Sequence, residues 1–524
     1  MKTGRISRLA TAALAGAAAA SLLAAPTLAQ DYKQGGTLRV AISQMAPSPD
    51  PVVTTFGVNW ATAAIVCEGL FAVDGNWSPQ PMLADSFSYN DDGTELTVKL
   101  RQGITFHSGA KLTSADVVAS LDRFKESAGI GASLKGVTAS IDAPDDNTVV
   151  FKLNSPTPIV PGLLTGTQAV IMSKASLEGA SPTVATQGLD CTGPYALTNY
   201  QPDQGATLTR FADYKSRTEP SSAEAGAKHA YADTIELKLM PEASVRRDSL
   251  ITGDVDIARE LPIDFYQALT DNPDTEPVVV KNNQSLTVVF NTKSGPASDV
   301  NLRRAIYYAL DMDPIMMASV GNPDFYSLDP SWIPDPNSIW YTTEGVPDGF
   351  GKAQPDKVKE YLAKSNYKGE PIKWLTASEQ YEKHYLTAVT AQQQLAAYGI
   401  NVELVEQPMA SYIQARANPE QMDAFSSFLP TYIDPVSIAY LNSSYPGFWD
   451  NPEKEQLMRD LSTTIDTDKR VAIFKKIHAM AYDQFPFIKF GTEPSFYGVR
   501  KGVANYPTTP VGGNALYNVV PPQS

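Results

Sequence analysis

Cysteine and histidine are scarce in this sequence, with two and four residues respectively among 524. The histidines, His107, His229, His384 and His478, stand far apart, so none offers the paired spacing that puts two imidazoles on one metal. There is no G-x-S-x-G nucleophile elbow and no G-x-x-x-x-G-K-[ST] phosphate loop. Gly129-Ile130-Gly131 starts like a dinucleotide fingerprint, but the third glycine is misplaced and no strand leads into it. The composition therefore supports no catalytic centre, no cofactor and no metal. Basic side chains are also in deficit, 42 against 57 acidic ones for a formal charge of −15, which argues against the basic face that nucleic acid requires. Beyond the N-terminus no apolar run approaches the roughly 20 residues of a membrane-spanning helix, so direct membrane insertion is not expected.

What is present begins with Lys2, Arg5 and Arg8, an Ala/Leu-rich run, and Pro26-Thr27-Leu28-Ala29. This reads as a secretory signal peptide over residues 1–29, cleaved after Ala29, and predicts an exported periplasmic chain without a lipid anchor. In an oxidising compartment Cys67 and Cys191 can pair or remain two buried thiols; spacing alone does not decide between these. The length allows two or three domains.

The chain is organised around residues 81–124. Leu96, Val98 and Leu100 alternate with Thr97 and Lys99, which predicts a half-buried strand over 95–100. A turn at Gly103, a short strand over 104–106 and a polar loop through Gly109 follow. Thr113 or Ser114 then caps a helix whose apolar stripe is Val117, Leu121 and Phe124, with Asp116 in its first turn. The pattern of Leu83, Ala84, Ser86, Asp92, Gly93, Leu100, Arg101, Gly103, Phe106, His107, Gly109, Leu112, Asp116, Val117, Ser120 and Arg123 resembles the signature of the family-5 extracellular solute-binding proteins, the receptors of peptide and nickel ABC importers. Gly35-Gly36-Thr37-Leu38, Thr192-Gly193-Pro194-Tyr195 (Cys191 standing where that family has Gly) and the helix over 299–310, capped by Asp299, are similar to further family motifs.

The resemblance implies an α/β fold of the two-lobe periplasmic-binding-protein type II kind, with an enlarged first lobe (cluster C) and a ligand cleft between lobes. No fixed repeat and no low-complexity linker occurs, as fits lobes built from discontinuous segments. Lobe I is expected at 30–283 plus 486–524, with an inserted subdomain over about 60–180, and lobe II at 284–485; the crossings near 284 and 486 form the hinge. Residues 285–291 and 485–490 read as strands, 61–70, 384–398 and 469–483 as helices, and 322–340 as a long ordered loop, a type that is usually functional.

Ligands of open α/β sheets collect beyond strand C-termini, which nominates Gln44, Met45, Phe56 and Asn59 after the first strand. Gly193 is nominated from its motif. In the family's dipeptide-binding member an Asp of a G-D-x-x-D-P loop pairs with the peptide amine. The matching stretch here is 430–435, where Asp434-Pro435 aligns and Thr431 falls at the amine position. The Arg that holds the peptide carboxylate in that member has no counterpart in 379–384, which offers Lys383 and His384 as cations. The remaining candidates are aromatic: Tyr381, Phe428 and Tyr432, then Trp332, Trp340 and Tyr341. The expected role is that of a monomeric receptor passing a small polar solute, a peptide or peptide-like molecule, to an inner-membrane ABC permease. An opine, a sugar conjugate or a chelate is the alternative ligand, and a secreted enzyme on the same scaffold the remote one.

Overall fold

In the computed structural model the described residues are 32–53, 57–127, 130–377, 382–511 and 516–523. The chain divides into two units, Met1–Lys33 and Gln34–Ser524, and the second carries the elements below. Its strands are, in order, β1 (Thr37–Ile42), β2 (Phe71–Val73), β3 (Pro79–Pro81), β4 (Ala84–Tyr89), β5 (Glu95–Leu100), β6 (Thr138–Asp145), β7 (Thr148–Leu153) and β8 (Tyr195–Gln201). They continue with β9 (Gly205–Arg210), β10 (Thr234–Leu239), β11 (Ile257–Ala258), β12 (Thr275–Phe290), β13 (Ile372–Thr376), β14 (Val402–Glu406), β15 (Ala424–Pro430) and β16 (Phe487–Arg500).

Ten of these form one mixed sheet in the order β14-β13-β15-β12-β16-β11-β1-β10-β9-β8. At its centre β12 and β16 run antiparallel, from Thr275 opposite Arg500 to Val289 opposite Phe487. The register slips between Val280 and Gln284, where the β12 residues 281–283 face Pro494 alone. Proline suits such a bulge because it has no N–H to give the ladder. Asn282 takes a left-handed φ of 59° there, and its side chain secures the kink by donating to the Pro334 carbonyl and accepting from Thr492 Oγ1 at 2.8 Å.

The sheet is one, but its apolar cores are several. A large cluster gathers Leu286, Val288 and Phe290 of β12 with Trp374, Phe425, Phe474 and Phe490. Another surrounds β1 and β8–β10, with Val40, Tyr195, Leu208 and Leu237. A third fills the separate four-stranded sheet β4-β5-β7-β6. In β5, Leu96, Val98 and Leu100 point inward as the alternation predicts, onto Val117, Leu121 and Phe124 of the helix Ser114–Lys125. That helix is capped at Thr113, whose N–H donates to the Asp116 carboxylate at 2.9 Å.

Several boundaries differ from the sequence reading. The helix expected over 61–70 is Gly57–Val66. It stops early because Glu68 turns inward to accept from Thr192 Oγ1 and Tyr214 Oη. The strand expected over 104–106 is a single bridge, Thr105 to Lys111, closing a turn in which Phe106 N–H donates to the Ala110 carbonyl. The strands expected at 285–291 and 485–490 are the buried second half of the longer β12 and the start of the longer β16, which is buried along nearly its whole length. Cys67 and Cys191 form a disulfide. Among the described residues no helix is long and apolar enough to cross a membrane.

Candidate functional site

A cavity of about 280 Å³ opens beside β15, next to the central ribbon. Ser426, Ser427, Phe428 and Pro430 of β15 form one wall, and Tyr412, Ile413 and Arg416 of the helix Met409–Arg416 another. His384, from the start of the helix Glu382–Ala396, and Tyr432, Tyr440 and Tyr445, from the loop after β15, close it.

Most of the polar groups in this wall are committed to the scaffold. Tyr440 Oη donates to the Phe428 carbonyl at 2.8 Å and meets Thr287 Oγ1 of β12 at 2.9 Å. Tyr412 Oη donates to the Ser426 carbonyl, and Trp374 Nε1 donates to Ser426 Oγ at 2.9 Å. These bonds fix ring orientations, leaving faces and edges for a guest. Burial lowers the His384 pKa to about 4, against the pull of Glu493, so the ring is neutral near pH 7. Burial likewise pushes the Tyr432 hydroxyl up to about 12. Lys383 is ion-paired to Glu493 of β16, which also accepts from Gln284 of β12, so this cation is held at the ribbon by its own carboxylate.

Of the residues nominated from sequence, His384, Phe428 and Tyr432 come together here. Thr431 adjoins Tyr432 on the same loop, half-buried and outside the cavity lining. Asp434 caps the short turn Pro435–Ser437 and pairs with Arg470 at 2.8 Å, a structural use of the Asp-Pro pair. Gln44 is exposed after β1, and Met45 packs partly buried against the β1 core. Phe56 and Tyr381 lie outside the described residues, as does the side chain of Asn59 in its helix. Trp332 and Trp340 are core: Trp332 packs on Phe474, His478 and Phe487, and Trp340 on Phe474. Tyr341 donates to Asp329.

Gly193 has a packing role. Its N–H donates to the Val66 carbonyl at 2.9 Å, its own carbonyl accepts from His107 Nε2 at 2.9 Å, and a Cβ would stand 2.5 Å from Val66 O. Since backbone cannot yield as a side-chain tip can, Gly193→Ala is expected to cost about 1–3 kcal/mol in a urea-unfolding measurement. An unchanged midpoint would return Gly193 to the ligand candidates.

Tyr412, Arg416, Tyr440 and Tyr445 were not singled out from sequence. The i, i+4 spacing of Tyr412 and Arg416 places them on one helix face, but nothing in their own stretch says that the face borders a cavity.

A crossed-over mixed sheet with separate cores on its two halves is a two-lobed α/β architecture, and the aromatic cavity lies on its β15 side. Residues 78–449 match the family described as bacterial extracellular solute-binding proteins, family 5 Middle, and the chain belongs to that family. It is similar to the probable peptide ABC transporter periplasmic-binding protein y4tO of Sinorhizobium fredii, 25% identical over 511 residues that cover 92% of this chain and 94% of the relative. Among solved structures it resembles the PBP AgaA of A. tumefaciens R10 in complex with agropinic acid, with a TM-score of 0.72, 24% identity, and 93% and 99% of the two chains covered. It also resembles the ABC transporter substrate-binding protein CtaP of Listeria monocytogenes, with a TM-score of 0.80, 19% identity, and 94% and 100% covered.

Proposed function

We propose that this chain is the periplasmic receptor of an ABC importer, capturing a small polar solute of peptide or peptide-like kind and passing it to an inner-membrane permease. The observation that carries this reading is the position of the cavity. Its wall strand β15 pairs directly with β12, and Lys383, beside the wall residue His384, is ion-paired to β16. A guest there touches β15, one strand away from the β12–β16 ribbon that joins the two halves of the sheet. Lobe I is taken as 30–283 plus 486–524, with a subdomain over about 60–180, and lobe II as 284–485; the slip between Val280 and Gln284 supports a hinge at this level. The N-terminal 29 residues act as a cleaved export signal, and the mature chain works as a monomer that binds without turnover. The likeness to the agropinic acid-binding AgaA, together with Thr431 at the amine position, favours an opine-like solute as the second reading.

A ligand contacting both lobes shifts the population toward closure only by its differential affinity for the closed form. The chain purified natively from its host should therefore carry a small molecule detectable by mass spectrometry. Solution scattering should give a smaller radius of gyration when that molecule is added back to the stripped protein. An unchanged radius of gyration with the ligand bound would remove the closing-receptor mechanism.

A further inference from the structure

Trp77 sits in the turn between β2 and β3, directly after the exposed Gly75 and Asn76, yet only 8% of it is exposed. Its φ of 61° falls in the left-handed region, an outlying conformation for a bulky side chain that persists only where the surroundings enforce it. Asp74 does so here. Its carboxylate accepts from the N–H groups of Asn76 at 2.9 Å and Ser78 at 3.0 Å, and its carbonyl accepts from Trp77 N–H at 3.0 Å. The indole held in this way reaches out of its own subdomain. Nε1 donates to Asp335 Oδ2 at 2.8 Å, and the ring shares an apolar cluster with Val73 and Val511 against which Ile433 packs. Asp335 and Ile433 belong to two different loops of residues 284–485, and Ile433 directly follows the cavity residue Tyr432. The loop bearing Asp335 is braced against the central ribbon. Ser327 bridges Thr492 of β16, Lys489 Nζ donates to the Ser331 carbonyl, and Asn282 in the bulge donates to the Pro334 carbonyl at 3.1 Å. A second contact joins the same parts of the chain, where Thr157 Oγ1 donates to the Ser462 carbonyl at 2.9 Å.

We infer that Trp77 and Asp335 form a latch between the lobes: their hydrogen bond, made outside the cavity, holds the closed arrangement and so sets how tightly the receptor grips its solute. The inference rests on the lobe assignment of the receptor reading and adds a residue pair that tunes affinity without touching the guest. Trp77, Asp335 and Ile433 are all absent from the cavity lining. A contact made only in the closed form raises the closed population, and apparent affinity rises with the fraction of molecules competent to hold the solute. The donor is buried and the acceptor is a carboxylate, so the bond is of the stronger, charge-assisted kind. Because the Asp335 loop is tied to the bulge through Pro334, opening the latch and twisting the ribbon involve one connected piece of backbone.

The test is pulsed electron–electron resonance on the full mature chain, freed of bound molecules by dialysis through urea. Nitroxides are placed at Ala132→Cys in the subdomain and Lys359→Cys in residues 284–485, both exposed positions, and the two native cysteines are bridged to each other. The parent is expected to show a closed distance. Trp77→Phe, which keeps an apolar ring but not the N–H, should lower the closed-to-open ratio about tenfold, the scale of one hydrogen bond to a charged acceptor. Asp335→Ala should lower it as much, and the double variant no further, since each single change removes the same bond. A merely structural contact would lower the melting temperature and leave the distances alone, so both are measured on every variant. An unchanged distribution in folded variants, additive losses in the double variant, or a parent that is wholly open overturns the latch and leaves the receptor reading standing. A single distance in the parent and all variants, together with an unchanged radius of gyration in the scattering measurement, overturns both.

Discussion

Removing the Cys67–Cys191 disulfide is expected to lower the free energy of unfolding by about 4–5 kcal/mol, because the bond closes a very long loop in the unfolded chain. The sequence separation is 124 residues, and the enclosed segment includes the whole four-stranded sheet β4-β5-β7-β6 with the signature helix. Both cysteines are buried, Cys67 just past the end of the helix Gly57–Val66 and Cys191 next to the Gly193 turn, so the bond ties the enclosed unit to the β1 core at its entrance and exit. The check is urea unfolding of a Cys67→Ala/Cys191→Ala double variant against the oxidised parent. Coincident curves would mean that the bond constrains nothing the fold does not already fix.

The second large effect is expected at Arg123, the last residue of the signature pattern. Its guanidinium forks onto Asp50, with Nη2 to Oδ2 at 2.6 Å and Nη1 to Oδ1 at 3.2 Å, and it also donates to the Ser181 carbonyl. Asp50 is fully buried and accepts from the backbone N–H groups of Val52 and Thr186 as well. Arg123→Met removes the counter-charge and leaves that carboxylate stranded, at a cost of about 3–5 kcal/mol. Adding Asp50→Asn to the same chain should recover part of the loss, since it removes the stranded charge; the coupling read from the four-member cycle isolates the pair. A loss below about 1 kcal/mol for the single variant would show that water or a shifted backbone compensates.

This ion pair illustrates what could and could not be read ahead of the structure. The signature segment was legible because its logic is local: alternation in β5, a cap at Thr113, an apolar stripe on the following helix. The same holds for the Asp299 cap, whose side chain accepts from Asn301 N–H at 2.8 Å. That Arg123 meets Asp50, 73 positions away, depends on tertiary placement that no local pattern encodes. The length of β12 was hidden for a related reason. Apolar alternation marks only its buried half, while Thr275 to Val280 extend it by pairing with β16 beyond the bulge at 281–283, contacts that residue type does not announce. At the candidate site the aromatic nominees separated by position. Phe428 and Tyr432 reached the cavity, whereas Trp332 and Trp340, which have equally suitable chemistry, fill the core. Arg416 went unremarked because a basic residue in the last turn of a helix is ordinary, and only the convergence of three rings around it makes it unusual.

The central ribbon constrains how the molecule can flex. Two separate linkers can stretch, slide or buckle independently, but β12 and β16 are laced to each other along nearly their entire length. Their ladder hydrogen bonds resist extension and shear, which leaves torsion about the ribbon's own axis as the soft coordinate. The bulge at residues 281–283 against Pro494 is where that torsion concentrates, since unpaired backbone there can rotate without breaking ladder bonds on either side. A pivot at this ribbon would take its stiffness from residues 281–283 and Pro494, none of which lines the cavity. Substituting Asn282 or Pro494 would retune how readily the protein twists while every residue of the cavity wall stayed the same.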